Sequence, residues 1–213
     1  MMFAPFARRA AVLGLLLLAA ACTAVPNEPP VALTPTVGDT SLVVNSLAPA
    51  ADAPAIANPV VTFYAKYDEA TSAYMYYRSR PGRADSVDFI RFRVPREALL
   101  TRPDGSPFAA GDSILITITL VDPEKLLVRF EPSGLRFDPA KPADLKFSFL
   151  ETDEDRDDDG SVDSDDTAIL NLIDIWKRET VSAPWIRQTS VITIGTHEIE
   201  TDVLGFTDYI IGW

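Results

Sequence analysis

From about Val60 to the end of the chain, apolar and polar residues alternate in short runs. In "DFIRFRV" (88–94), Ile90, Phe92 and Val94 share one face, and Arg91 and Arg93 share the other. "DSILITITLVD" (112–122) places Ile114, Ile116, Ile118 and Leu120 together, and "DLKFSFL" (144–150) does the same with Leu145, Phe147 and Phe149. A period of two marks strands buried on one face. "VVTFYAKY" and "AYMYYRS", joined by "DEATS", predict a hairpin. "KLLVRF", "LIDIWKRE", "PWIRQTS", "VITIG", "HEIETDVL" and "DYIIGW" continue the pattern. Pro, Gly, Asp and Ser punctuate these runs at roughly 8–12-residue intervals, the spacing of an antiparallel sandwich or barrel. The one helical candidate is "DDTAILNL" (165–172). The pattern predicts an all-β fold, an antiparallel β-sandwich with a short helix, as one domain over residues 58–213.

The preceding text has no period. Residues 22–57 are rich in Pro, Ala, Thr and Val and read as a semi-extended tether; "SLVV" (41–44) is its one β-like run and is left unassigned. Before it, Arg8 and Arg9 precede an apolar run, Ala10–Ala21, of signal-peptide length. A bilayer-spanning helix needs roughly 20 apolar residues, so this run is too short. It ends in "LAAAC", where Cys22 is the single cysteine of the 213 residues. That ending resembles the lipobox of bacterial lipoproteins, with Ala19 where Leu is commonest. The resemblance implies a signal peptide over 1–21, a lipidated Cys22, and an exported protein held at the cell envelope, at the outer membrane of a bacterium. The plainer alternative is an ordinary secretory signal with a cysteine near its end. Either way the exported chain has no second cysteine for a disulfide.

Charge changes the picture at one place. Ten acids and one arginine between Glu151 and Asp166 account for nine of the twelve net negative charges. The rest of the chain is near neutral, without the basic patch that nucleic-acid binding requires. Within this stretch, "DRDDDGSVDSDD" (155–166) has the spacing of a calcium loop. Calcium wants six or more oxygens on a tightly turning backbone, with ligands at loop positions 1, 3, 5, 7, 9 and 12 and Gly at 6. Taking Gly160 as the turn puts Asp155, Asp157, Asp159, Ser161 (through its carbonyl), Asp163 and Asp166 at those positions. Val162 then falls where an aliphatic side chain can tuck beneath the loop. The competing reading is a solvated, self-repelling acidic run. The twelve residues resemble the calcium loops of EF-hands and, more closely, of dockerin modules. Two departures stand out: strand-like "KFSFL" precedes the loop in place of a helix, and Thr167 follows it. One loop alone argues for a structural Ca2+ rather than a sensor.

"VRFEPSGLRFDPAKPADLKFSF" (128–149), through Phe130, Pro132, Gly134, Leu135, Phe137, Pro142 and Leu145, resembles the ZU5-type β-sandwich. The likeness extends over about residues 88–212, with "GFTDY" (205–209) in place of a terminal His-containing motif. It implies an Ig-like interaction module, with the calcium loop inserted between two of its strands.

Nothing in the chain spells out catalysis. His197 is the only histidine; "HEIE" is not a zinc motif, and no nucleophile elbow, P-loop or dinucleotide fingerprint occurs. His197 is expected on the solvent face of a strand. A carboxylate pair for glycoside hydrolysis remains the residual catalytic option, and the expectation is a protein that is not an enzyme. Trp176 and Trp185 flank a predicted hairpin and are expected in the core. Tyr74 and Tyr76 are expected on one face of a strand with Tyr77 on the other. Two functional classes stand: a lipid-anchored structural or protein-interaction module, and a glycan- or peptide-binding surface protein using its aromatic strands.

Overall fold

The computed structural model describes residues 43–82 and 87–213. The signal peptide and Cys22 lie outside the described residues. The strands are β1 (Val60–Lys66), β2 (Thr71–Tyr76), β3 (Asp88–Val94), β4 (Leu99–Thr101), β5 (Ser113–Asp122) and β6 (Leu127–Glu131). They continue with β7 (Arg136–Phe137), β8 (Ala143–Ser148), β9 (Asp174–Arg178), β10 (Ile186–Arg187), β11 (Ser190–Thr193), β12 (Glu198–Val203) and β13 (Asp208–Gly212). One helix, α1 (Ser164–Leu170), and a 3-10 turn at Ile194–Thr196 complete the set.

The strands form two main antiparallel sheets, ordered β1-β5-β6-β13-β9-β10 and β11-β12-β8-β3-β2, with β4 and β7 as a small third ladder. The alternation seen in sequence is what allows this layering. Ile116 and Ile118 of β5, Val128 and Phe130 of β6, and Tyr209 and Ile211 of β13 bury one side of the first sheet. Ile90 and Phe92 of β3, Leu145 and Phe147 of β8, and Ile199 of β12 bury the facing side of the second. Phe92 sits at the centre. Its ring meets Phe130 at 4.9 Å, Phe206 at 5.6 Å and Phe137 at 6.2 Å, so one side chain links both sheets. Full burial of a side chain of this size contributes about 1.5–3 kcal/mol, before the edge-on ring geometry adds to it. The fold is an all-β sandwich of antiparallel sheets with one short helix.

Two local expectations are corrected. β1 and β2 are not a hairpin: β1 pairs with β5, while β2 pairs with β3 in the opposite sheet. The intervening loop is a corner between sheets. The Tyr67 amide donates to Asp112 O (2.9 Å) and the Glu97 amide donates to Tyr67 O (2.6 Å), so the loop is tied to distant segments. Alternation looks the same for a strand paired locally and one paired across the fold, so the pattern could not distinguish them.

The second correction concerns the tether over 22–57. Its last part, from Val44 onward, is docked on the sandwich. Asn45 and Trp213 exchange backbone hydrogen bonds of 3.1 Å, and the Leu47 amide donates to Ile211 O at 3.0 Å. Ala50 N–H then bonds Glu151 O, and Ala57 N–H bonds Tyr76 O, so the segment crosses from one sheet to the other. Leu47 is 2% exposed and belongs to the main core. Gly212 permits the close approach, because a Cβ there would collide with the Asn45 carbonyl and the Val44 side chain. Backbone hydrogen bonds do this work, and they leave no periodic trace in side-chain text. The folded domain therefore begins well before residue 58.

The predicted Trp hairpin is present as β9–β10, with Trp176 opposite Arg187. Trp176 is buried, and its Nε1–H donates to Gly212 O at 3.0 Å. The "EPSG" turn closes between β6 and β7 with Gly134 at φ +86°.

Candidate metal centre

The acidic stretch leaves the end of β8 and runs into α1. Its start is pinned: the Thr152 hydroxyl donates to Phe149 O at 2.8 Å, and Asp153 N–H donates to Ala48 O at 2.9 Å. From there the carboxylates turn inward onto the loop's own amides. Asp155 accepts from Asp159 N–H at 3.1 Å and from Gly160 N–H at 2.8 Å, one bond per oxygen. Asp157 accepts from Asp159 N–H at 3.3 Å, and Asp159 accepts from Ser161 N–H at 2.9 Å. Two residues with positive φ, Asp158 (+59°) and Gly160 (+90°), make the turn. A glycine adopts that conformation without strain. Space around it is open, so the requirement is for the backbone angle and not for room.

Asp166 closes the loop. It is 1% exposed and accepts from the backbone amides of Arg156 and Asp163. Asp163 is the N-cap of α1, accepting from Asp165 N–H at 2.8 Å, and with Asp166 it forms a reciprocal capping box. The helix start and the loop end are thus one structure, which is why the α-helix follows directly on the most acidic text.

Of the predicted ligands, Asp155, Asp157 and Asp159 are brought together directly, each with a carboxylate oxygen within 4.8 Å of the others'. Asp166 lies close enough for its charge to act on Asp157. Asp163 instead has its carboxylate on the helix N-terminus, and Ser161 stands exposed at the turn. Val162 departs from expectation: it is 62% exposed and does not tuck under the loop. With a single loop there is no second loop against which an aliphatic side chain at that position can pack.

The electrostatics differ across the site. Desolvation, followed by the charges of Asp159, Asp166 and Asp155, pushes the Asp157 carboxyl above its ordinary value. The amides of Asp163 and Arg156 hold the Asp166 carboxyl below its ordinary value. A cluster of acids in which desolvation and then neighbouring charge push one carboxyl up is a site where a cation relieves repulsion. The donor set is all oxygen, which suits a hard cation such as calcium over a soft one.

The other singled-out residues are dispersed. His197 is not on the face of a strand. It ends the 3-10 turn at φ +54°, just before β12, with its ring 5.5 Å from that of Phe149. Tyr74 and Tyr76 share the outer face of β2, stacked at 5.8 Å, and Tyr77 is buried on the other side against Phe89. Tyr64 is 61% exposed but stands on β1, in the opposite sheet. The tyrosines thus form no continuous ladder.

Sequence reasoning overlooked the Arg80–Glu151 pair at the root of the loop. Glu151 is buried, and Arg80 also reaches Asp52 at 3.0 Å. Its members are separated by 71 residues, and only tertiary contact relates them. Comparison with protein-family models, with curated proteins and with solved structures finds no match for this chain.

Proposed function

We propose that this chain is a lipid-anchored protein of the bacterial cell envelope, a structural or protein-interaction module braced by one calcium ion, and not an enzyme. The observation that carries the calcium reading is the convergence of the Asp155, Asp157 and Asp159 carboxylates within 4.8 Å around the Gly160 turn. Asp155, Asp157, Asp159, Asp163 and Asp166 would hold the ion by side chains, and Ser161 by its carbonyl. Bound there, the ion supplies positive charge to a cluster that otherwise repels itself. The role is structural because the loop joins β8 to α1, and its root is bonded to the docked N-terminal segment at Ala48 and Ala50.

The anchoring reading rests on the Arg8–Cys22 text and its likeness to a lipobox. The interaction role rests on the likeness of residues 88–212 to ZU5-type sandwiches. The non-enzymatic reading is supported by the lone histidine, whose ring is packed on Phe149. A glycan- or peptide-binding surface protein is the second reading, favoured by the stacked, half-exposed Tyr74 and Tyr76. The division of the tyrosines between two sheets weighs against it.

Thermal unfolding with and without calcium tests the central claim. Extracellular calcium sites have Kd values of about 10⁻⁴–10⁻³ M. At ~10 mM calcium, linkage then contributes roughly 1.4–2.7 kcal/mol, a rise in Tm of about 3–11 °C for a chain of this size. Asp159→Ala abolishes the rise while leaving the calcium-free Tm nearly unchanged. A wild-type Tm indifferent to calcium, or an equal rise in the variant, overturns the reading.

A further inference from the structure

The two open sheets have four edges among the described residues, and three of them are blunted. β10 is two residues long and β11 four. β2 is covered by the segment before β1. Ala57 N–H donates to Tyr76 O at 2.8 Å, and Arg78 N–H donates to Ala55 O at 2.9 Å. The Asn58 side chain donates to Tyr74 O and accepts from Tyr76 N–H. β1, the other edge of the six-stranded sheet, is seven residues long and pairs with β5 in unbroken register. It has no such cover among the described residues. Short or covered edges guard a sheet against pairing with another chain, and a long bare one invites it.

The register decides which groups that edge presents. Pro59 O accepts from Leu120 N–H and Tyr67 N–H donates to Asp112 O, so the bonded pairs with β5 fall on odd-numbered residues. The N–H and C=O groups of Val60, Thr62, Tyr64 and Lys66 therefore point away from the sheet, and none is bonded among the described residues. Side chains along the edge are equally uncovered. Val61 and Phe63 face the core but are only half-buried, while Ile118 and Ile116 opposite them on β5 are fully buried. On the outer face Val60 is 55% and Tyr64 61% exposed, with exposed Leu115 opposite Tyr64. Val, Thr, Phe and Tyr favour strands, and no proline, glycine or bulge interrupts the run. Its one charge, Lys66, is paired with Glu69 at 3.0 Å.

We propose that β1 pairs with β1 of a second copy of this chain, antiparallel about a two-fold axis at Phe63, so that the two six-stranded sheets become continuous. In that register Val60 lies opposite Lys66 of the second copy, and Thr62 lies opposite its Tyr64. All four outward residues of each chain are then bonded, about eight backbone bonds in all. Charge selects this occupant. The chain carries a net charge of −12, yet β1 has no acidic residue, so two copies can meet along it without like charges in contact. The two lysines fall at opposite ends, roughly 20 Å apart and beyond the screening length of about 8 Å at physiological salt. A parallel copy would set lysine against lysine. The chain's own residues 23–42 are poorer ladder partners, because Pro26, Pro29, Pro30 and Pro35 have no N–H to donate and Gly38 follows them. Neither the calcium ion nor the lipid anchor takes part in this pairing.

Sedimentation velocity of residues 23–213, which contain every described residue and carry no lipid to gather copies, is the test. A monomer–dimer equilibrium is expected within about 1–100 μM. Thr62→Pro removes an outward N–H and no bond to β5, so the dimer weakens at least about tenfold. Its Tm and far-ultraviolet spectrum report whether the fold is intact. Thr62→Lys combined with Tyr64→Lys sets like charges opposite each other across the axis and abolishes the dimer. Thr62→Lys combined with Tyr64→Glu sets opposite charges there and keeps it. Hydrogen exchange at Val60, Thr62, Tyr64 and Lys66 identifies the occupant, with protection that rises with protein concentration for self-pairing. A wild type still monomeric at ~200 μM overturns the proposal. Protected edge amides in that monomer place residues 23–42 on the edge, and unprotected ones leave it to another protein. A folded Thr62→Pro variant that dimerises as wild type does, or equal dimerisation of the two double variants, overturns the proposal as well.

Discussion

Leu47→Ala probes whether the segment read from sequence as tether is part of the domain. The side chain is 2% exposed inside the main core, and its amide is bonded to Ile211 O. Removing a buried leucine to Ala costs about 2–5 kcal/mol through lost transfer energy and the cavity left behind. For a chain of this size each kcal/mol moves Tm by roughly 2–4 °C, so the expected drop is about 4–20 °C. The drop has a ceiling, however. Residues 44–57 can undock as a unit, and then the loss cannot exceed the free energy that docks them. Gly212→Ala attacks the same docking by forcing a Cβ into the Asn45 carbonyl. The two substitutions combined are therefore expected to cost less than the sum of each alone. Differential scanning calorimetry gives the magnitudes, and hydrogen exchange at Leu47 and Trp213 shows whether undocking is local. A Leu47→Ala variant within 1 °C of wild type, taking ~0.5 kcal/mol as the scatter of surface substitutions, refutes the docked segment. Full additivity of the pair refutes the local-undocking argument.

Other expectations follow from the core, the tyrosines and the leader. Phe92→Ala, which empties the centre of the aromatic cluster, costs about 3–5 kcal/mol and lowers Tm by roughly 6–20 °C; a loss under ~1 kcal/mol contradicts its central position. Burial, reinforced by the charge of Glu151 for Tyr77 and Glu179 for Tyr209, pushes both phenols above their ordinary value. Below about pH 10 both states keep these protons; above it the unfolded chain releases them while the folded one does not, so stability falls as pH rises. Ultraviolet titration should then show Tyr77 and Tyr209 ionising only as the protein unfolds, and their early titration in folded protein counts against the burial. Cys22→Ser is expected to move the protein from the detergent phase to the aqueous phase in a Triton X-114 partition, and equal partitioning of wild type and variant removes the lipid anchor.

Much of the candidate site was legible because an acidic turn of this spacing is a local object. Spacing around Gly160 nominated all six ligand positions, and the structure converges three of them, Asp155, Asp157 and Asp159, with Asp166 close by. Asp163 instead caps the helix N-terminus, a role the ligand spacing gave no sign of. Val162 departs from the expectation because the environment of its side chain depends on whether anything stands opposite the loop. Which sheet edge is covered left no signal at all in the text, since Asn58 and the Tyr74 carbonyl it bonds are 16 residues apart.

The division follows the range of the interactions. Period-two alternation, turn residues and ligand spacing operate within about a dozen residues, and from them the sequence alone determined strands, one short helix, a β-rich class and an acidic turn around Gly160. Partner choice operates across the whole chain. That β1 joins β5 while β2 crosses to the other sheet, that Leu47 enters the core, and that Gly212 admits the Asn45 carbonyl were decided only when distant backbones competed for the same hydrogen bonds and the same buried volume.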